Sequence, residues 1–379
     1  MAATVAVVRC ETYETGAVHA AVGRALDLLG GAGTIVAPGE RILLKPNLLV
    51  PSRPEDAVTT HPAVFEATIR HLLDAGALLS FGDSPAFGGT EVAARRAGLT
   101  AVAEKLGVGL EVFREGRAVP FPEGRLIKRF EIADQVLEAD GLISLPKLKT
   151  HALTRLTCAV KNQFGCVPGM RKGEFHAKMS DIRRFAQMLV DLNRLIAPRL
   201  AIVDAIVGME GNGPRGGDPR AVGLIIASRD MVAADAVAAS VIDLPLELVE
   251  TCVIGHEWGL GEAYDIRVVG EPIDAVRVEG FSANRSRAST TPGPRPHQAL
   301  MKRWMTPRPT IRAERCTRCG TCVTMCPVSP KAVDWHDGDR SGPPSYRYER
   351  CIRCYCCQEM CPERAIDVHT PLASRLFRR

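Results

Sequence analysis

No apolar run in this chain reaches the roughly 18 residues that a membrane-spanning helix needs, and the opening "MAATVAVVRCETYETG" has no basic segment leading into an apolar one. These absences set the expectation of a cytoplasmic protein without a membrane span. Neither sign of charge is in large excess: 48 basic against 43 acidic residues leave +5, which asks for no particular partner. Acidic residues are locally absent between Ser282 and Arg312, where Arg285, Arg287, Arg295, Lys302, Arg303, Arg308 and Arg312 stand unopposed. That stretch, 282–311, reads as a basic, proline-rich linker. Without a helix-turn-helix or a basic groove interleaved with aromatics, nucleic acid is not expected as a partner. The marks of disorder are missing too: 46% hydrophobic and 24% charged residues fit a soluble globular chain with a real core. At 379 residues two domains are expected, because single cores split near about 250 to 300 residues.

Cysteine, by contrast, is plentiful. Thirteen thiols in a chain read as cytoplasmic point to metal rather than to disulfides, since reducing compartments keep thiols free. Cys316, Cys319, Cys322 and Cys326 follow C-x2-C-x2-C-x3-C-P, and Cys351, Cys354, Cys357 and Cys361 repeat it, with Pro327 and Pro362 behind the last cysteine of each. In that pattern three closely spaced thiolates wrap one face of a cubane and the fourth reaches the other cluster. The expected ligand sets are therefore Cys316, Cys319, Cys322 and Cys361 for one [4Fe–4S] cluster, and Cys351, Cys354, Cys357 and Cys326 for a second. Zinc sites use paired C-x2-C knuckles with a longer spacer, so the spacing favours two cubanes. Residues Arg312 to His369 resemble the bacterial two-cluster ferredoxin module, with two departures: "CPVSPKAV" is longer than "CPERAI", and "HDGDRSGPPS" separates the halves. Cys356 is an extra thiol, either a spare small residue or an alternative ligand under oxidation. Trp335, Tyr346 and Tyr355 are candidates for shielding the clusters, or plain packing.

Ahead of this module, short β-branched runs alternate with amphipathic helical patterns. "TVAVVRC", "RILLKPN", "ALLSFGDS", "GLISLPK", "LAIVDAIVG" and "VGLIIAS" read as buried strands. "AVHAAVGRALDLLG", "PAVFEATIRHLLDAG", "SDIRRFAQMLVDLNRLI" and "MVAADAVAASVIDL" read as helices. The alternation predicts an α/β domain over 1–281, a mainly parallel sheet with helices on both faces. A small α+β ferredoxin-like domain over 312–369 and a basic tail over 370–379 complete the expected organisation.

Ligands of open parallel sheets sit beyond the carboxyl ends of the strands. Lys45 and Asn47 fall there, as do Asp83 in "GDSP", the dense stretch with Lys147, Lys149, His151, Lys161 and Asn162, and Asp204 leading into "GMEGNGPRGG". Cations at that density suit a carboxylate or phosphate, although a solvated helix face would look similar. The glycines of the last loop, Gly211 and Gly213 among them, would let backbone amides approach a ligand. It matches neither G-x-G-x-x-G nor a Walker loop, so no nicotinamide or ATP site is supported; a flavin stays open. His61, His151 and His176 are the histidines nearest these loops, with His151 the first choice of proton donor and Asp83 and Glu210 as further acid or base candidates. Cys10, Cys158, Cys166 and Cys252 read as inert buried thiols.

Taken together, "LLKPNLL", "THPAVFEA", "FGDSP", "PKLKTHALTRLTCAVKNQFGCVPG", "IVDAIVGMEGNGPRGG" and "ASRDMVAADAVAAS" resemble the domain of unknown function 362 family over roughly Val5 to Asp243. That resemblance implies the fusion to a two-cluster ferredoxin module and says little about chemistry. The expected function is a reductase. An external low-potential donor such as a ferredoxin or flavodoxin feeds the clusters, and a small anionic substrate is held by Lys45, Asn47, Lys149, Lys161, Asn162, Gly211 and Gly213, with Lys147 beside the reacting group. The rival expectations are an electron-transfer or docking protein without substrate chemistry, and a redox sensor.

Overall fold

The computed structural model of the chain describes residues 2–169, 171–179, 181–285 and 306–369. Most of the expected linker, including Arg287, Arg295, Lys302 and Arg303, and the expected basic tail 370–379 lie outside the described residues. Strands β1 (Ala3–Arg9), β2 (Arg41–Pro46), β3 (Leu78–Asp83), β4 (Gly109–Val112), β5 (Gly116–Pro120), β6 (Arg129–Ala133), β7 (Gly141–Leu145), β8 (Lys147–His151), β9 (Arg155–Thr157), β10 (Leu200–Glu210), β11 (Asp218–Ser228) and β12 (Ile266–Gly270) build the first domain. Its central sheet runs β12-β1-β11-β10-β7-β2-β3-β4, with β8 paired to β10 and β9 to β8; β5 and β6 form a separate pair.

The sheet is mainly parallel, as the alternation of short strands and helices predicts. β10, β7, β2, β3 and β4 run together, and β11 alone is antiparallel to both of its neighbours, β1 and β10. That reversal has a local cause: the glycine-rich stretch after Glu210 is a hairpin connection, with Glu210 opposite Asp218.

Strand periodicity divides the core into layers. Ile42 and Leu44 of β2 pack with Val22 and Leu26 of helix Thr15–Leu28 and with Phe65 and Ile69 of helix Pro62–Asp74. On the other face Val5, Val203 and Ile226 meet Phe185 and Leu189 of helix Ile182–Ile196 and the alanine-rich helix Met231–Val241. Both of these helices start at an aspartate. Asp181 accepts from the Arg183 and Arg184 amides, and Asp230 from those of Val232 and Ala233.

The second domain has β13 (Arg308–Ile311) antiparallel to β16 (Ile366–His369) and β14 (Val333–Asp334) antiparallel to β15 (Ser345–Tyr346), with short helices Thr321–Thr324 and Cys356–Met360. Its first strand starts at Arg308, inside the span read as linker. Tyr355 is buried in the core of the first domain, and Met360 packs with Val50, Val58 and Met209. The two domains thus share a hydrophobic interface around the second cysteine run. Among the described residues, no helix is long and apolar enough to cross a membrane.

Candidate functional site

The expected strand-end residues converge at one edge of the sheet, where each lysine is drawn inside. Lys45 follows Leu43 in the alternation of β2 and is fully buried. Its Nζ lies 2.8 Å from Asp83 Oδ1 at the end of β3 and donates to Asn162 Oδ1 at 3.1 Å. Asp83 is occupied twice over, because its Oδ2 accepts from the Leu48 amide at 2.8 Å. Gly165 makes this pair possible: a Cβ there would stand 1.8 Å from Asp83 Oδ1 and 2.7 Å from Lys45 Nζ. Asn162 Nδ2 returns to the Lys45 carbonyl and to Ser144 Oγ, so helix Ala159–Asn162 is tied to β2 and β7.

A second cell forms where β8 lies beside β10. Lys147 Nζ sits 2.8 Å from Asp204 Oδ2 and donates to Tyr13 Oη at 2.6 Å, while Tyr13 donates to Asp204 Oδ1 at 2.8 Å. Burial pushes the Lys147 amine down in pKa, and Asp204 opposes that shift. Tyr13 stacks on His61 with ring centroids 3.5 Å apart. His61 Nδ1 accepts from the Ala63 amide and caps helix Pro62–Asp74, which fixes its proton on Nε2.

Lys149 differs from both. Its Nζ donates to Asn47 Oδ1 at 2.5 Å and to the Val58 carbonyl at 2.7 Å, and both acceptors are neutral. Burial, together with the charges of Lys161 and Lys147, holds it well below the usual lysine range.

At the domain interface the second cysteine run supplies a residue of its own. Glu359, on helix Cys356–Met360, puts Oε1 at 2.9 Å from His151 Nε2, with both side chains buried. His151 Nδ1 accepts the Leu153 and Thr154 amides at 3.0 and 3.2 Å, so the ring is neutral with its proton on Nε2. Burial and then Lys161 push its pKa down to about 4, against the opposite pull of Glu359. Burial alone would raise the Glu359 carboxyl, but His151, Lys161 and His176 outweigh it and keep the group ionised. Lys161 has no hydrogen-bond or ion-pair partner among the described residues, and burial pushes its amine down in pKa while Glu359 opposes that shift. His176 Nδ1 is likewise buried and unpartnered.

Of the two expected ligand sets, one is brought together around a cavity. Cys316, Cys319, Cys322 and Cys361 line one cavity together with Gly320, Pro344 and Pro362, so the crossing of Cys361 to the first run is realised in the fold. Among the described residues no three His, Cys, Asp or Glu groups converge tightly enough to hold a single metal ion. Thiols set around a cavity suit a cubane instead. In the second run, Cys357 Sγ accepts from Tyr346 Oη at 3.2 Å, and Cys354 and Cys357 are buried, whereas Cys319 of the first run is exposed. Trp335 packs over Gly320 of the first run. Cys10, Cys158, Cys166 and Cys252 are buried thiols with raised pKa values, each chiefly through burial.

Three expected site residues lie elsewhere. Glu210 Oε2 accepts from the Ser282 amide, and the Gly211 amide donates to the Ser282 carbonyl, so both hold the segment leaving the first domain. Gly213 is pressed against Thr150, where a Cβ would stand 2.2 Å from the carbonyl oxygen. The loop they belong to clasps the second domain rather than covering an open pocket. Gln358 Nε2 donates to Asn212 O and Oδ1, Asn212 Nδ2 to the Ile366 carbonyl, and Arg215 to the Met360 carbonyl. Sequence reasoning passed over Glu359, Gln358 and Tyr13. The available signal was two long polar side chains between the ligand cysteines of "CCQEMCP". A cavity of about 660 Å3 lined by Thr4, Leu28, Arg229 and Arg267 shares none of these residues.

The family described as domain of unknown function (DUF362) matches residues 42–240, and a 4Fe-4S dicluster domain matches residues 308–362. A thylakoid-associated protein of Synechocystis sp. is 39% identical over 261 residues, which cover 69% of this chain and 81% of that protein. Two solved structures are each 12% identical with a TM-score of 0.38. One is the lactate racemase apoprotein from Thermoanaerobacterium thermosaccharolyticum, with 62% of this chain and 57% of that chain covered. The other is a protein from Thermotoga maritima, with 66% and 60% covered. The chain therefore spans less than two thirds of either structure's own length.

Replacing Lys45 by Met should cost about 3 to 5 kcal/mol of stability, because Asp83 is left charged and buried without its partner. Lys45→Met combined with Asp83→Leu should recover much of that loss in chemical denaturation followed by circular dichroism. A second expectation concerns acid. Burial depresses His61 and His176 from 6.5 to about 4, so the unfolded chain binds more protons between those values. Their contribution to stability is complete above about pH 6.5 and is lost as pH falls through about 4. His61→Gln should flatten the decline of the denaturation midpoint across that window.

Proposed function

Because the chain belongs to the domain of unknown function 362 family and carries a 4Fe-4S dicluster domain, we propose that it is an iron–sulfur oxidoreductase. Electrons from a low-potential donor such as a ferredoxin or flavodoxin pass through two [4Fe–4S] clusters to a small anionic substrate in the first domain. The observation that carries this reading is the 2.9 Å approach of Glu359, two residues from Cys357 and from Cys361, to His151. Cys357 and Cys361, which would hold clusters, therefore each lie within about one helical turn of Glu359. When bound, the clusters supply one-electron transfer that side chains cannot provide.

The residues of the chain take the remaining roles. Lys161 supplies unshared positive charge for an anion, with Lys149 behind it. His151 acts through its neutral Nε2–H, polarising a substrate oxygen; two amides directed at Nδ1 disfavour the imidazolium that a conventional proton donor would need. Lys149 is the better proton donor, since a buried amine with neutral acceptors exchanges a proton closer to neutrality. Lys45, Lys147 and Asp83 are structural in this reading, each already joined to an opposite charge.

One observation favours a second reading, an electron-transfer or docking protein: Glu359 already fills the space beside His151. The two readings part on a stopped-flow experiment. Protein purified without oxygen is reduced and mixed with pools of small anionic metabolites while cluster absorbance is followed. Rapid reoxidation by one pool, lost in Lys161→Met with the clusters retained, is expected. Clusters that stay reduced with every pool, yet reoxidise with a protein fraction, would replace the reductase by the carrier. The ligand sets are tested separately: Cys316→Ser and Cys361→Ser should each remove the same cluster, lowering iron content by about half and deleting the same electron paramagnetic resonance signal.

A further inference from the structure

We propose that Glu359 occupies the position of a ligand carboxylate, so that the anion taken by this site is a small carboxylate and the docked ferredoxin-like domain competes with it. The inference rests on the reading that the first domain binds a small anion. It names the chemical class of that anion and the chain's own occupant of its place.

Glu359 is poorly explained as part of its own domain. It lies two residues from each of two cysteines assigned as cluster ligands, Cys357 and Cys361. Its carboxylate is instead directed at the other domain, with Oε1 2.9 Å from His151 Nε2. Only 5% of the residue is exposed, so water does not replace those partners.

The fit is incomplete in a way that points to a better occupant. Glu359 Oε1 comes within 2.9 Å of His151 Nε2, yet neither atom achieves the alignment of a hydrogen bond, and His176 Nδ1 also goes without one. Lys161 is nine-tenths buried and donates to nothing among the described residues. A carboxylate accepts at about four lone-pair positions, enough for all three neighbours. Glu359 is prevented from turning to meet them because its backbone belongs to a helix fixed by Gln358 on Asn212 and by Arg215 on the Met360 carbonyl. A free carboxylate has no such tether. One unshared cation with neutral imidazole beside it matches a single planar negative charge, which argues for a monocarboxylate rather than a phosphate dianion.

The test uses the full cluster-loaded chain with Glu359→Ala, which removes the internal carboxylate and leaves its space. Sodium acetate is titrated against sodium chloride at constant ionic strength, and the thermal midpoint is recorded. Saturable stabilisation of Glu359→Ala by acetate is expected, at concentrations at least about tenfold lower than those that affect the native chain, where Glu359 competes. The apparent affinity should weaken by at least about tenfold when Lys161→Met is added. Absence of saturation in Glu359→Ala, an equal effect on the native chain, or stabilisation by phosphate and not by acetate would each overturn the proposal. Should Glu359→Ala not fold, Glu359→Gln is read the same way, since a neutral amide yields the site to acetate. If acetate fails to bind while reoxidation by an anionic pool still depends on Lys161, this inference falls and the reductase stands. If acetate binds and no pool reoxidises the clusters, the reverse holds.

Discussion

Four lysines are buried at one edge of a single sheet, and the surrounding structure depends on how each charge is met. An uncompensated buried ammonium costs several kcal/mol, so every one of them must recruit a group from another element or shed its proton. Lys45 recruits Asp83 from the neighbouring strand, and Lys147 recruits Asp204 from β10 and Tyr13 from the loop after β1. Lys149 obtains only the neutral oxygens of Asn47 and Val58, and its pKa falls accordingly. Lys161 makes no ion pair among the described residues, and the opposing charge that acts on it without contact is that of Glu359, on the other domain. The ferredoxin-like domain is therefore part of the electrostatic completion of the first domain, not a cargo hung from a linker.

The same edge explains why the interface is built as it is. A charged side chain directed across a domain boundary is tolerable only where water is kept out and the backbone is held still. Tyr355 and Met360, on either side of Glu359, enter the apolar core of the first domain. Gln358 is fixed by three acceptors on the Asn212–Gly213 turn. The hairpin between β10 and β11 thus serves as a clasp. Its glycines let the turn lie flat against Thr150 while its polar backbone faces the helix.

Much of this was legible in the sequence and some was not. Strands β1, β2, β3, β7, β10 and β11 announce themselves as short β-branched runs, and the cysteine spacing states which thiol crosses to which run. The placement of Lys45 near the end of β2, and of Lys147 and Lys149 beyond β7, was also readable, but not that Lys147–His151 form a strand of their own, β8. What they do there was not, since pairing Lys147 with Asp204 needs β8 laid beside the far half of β10, a register no local pattern encodes. The glycine-rich loop was misread for a related reason: glycine density looks the same in a ligand cradle and in a hairpin pressed on a neighbour. Glu359 escaped because the cysteines around it already account for its segment.

An asymmetry between the two cysteine runs gives the arrangement a direction. Cys319 of the first run is exposed and Cys316 half-buried, whereas Cys354 and Cys357 of the second lie buried beside the first domain. The contrast rests on Cys319, because Cys351 of the second run is half-buried as well. Cys361 then links the two positions, since it belongs by sequence to the run that docks and by geometry to the cavity that faces solvent. Tyr346, donating to Cys357 Sγ, adds a hydrogen bond to a ligand sulfur of the second run, an interaction that raises the potential of an iron–sulfur centre. The run with the exposed cysteine is thus turned away from the first domain, and the run with a hydrogen-bonded, buried cysteine is the one that brings Glu359 to His151.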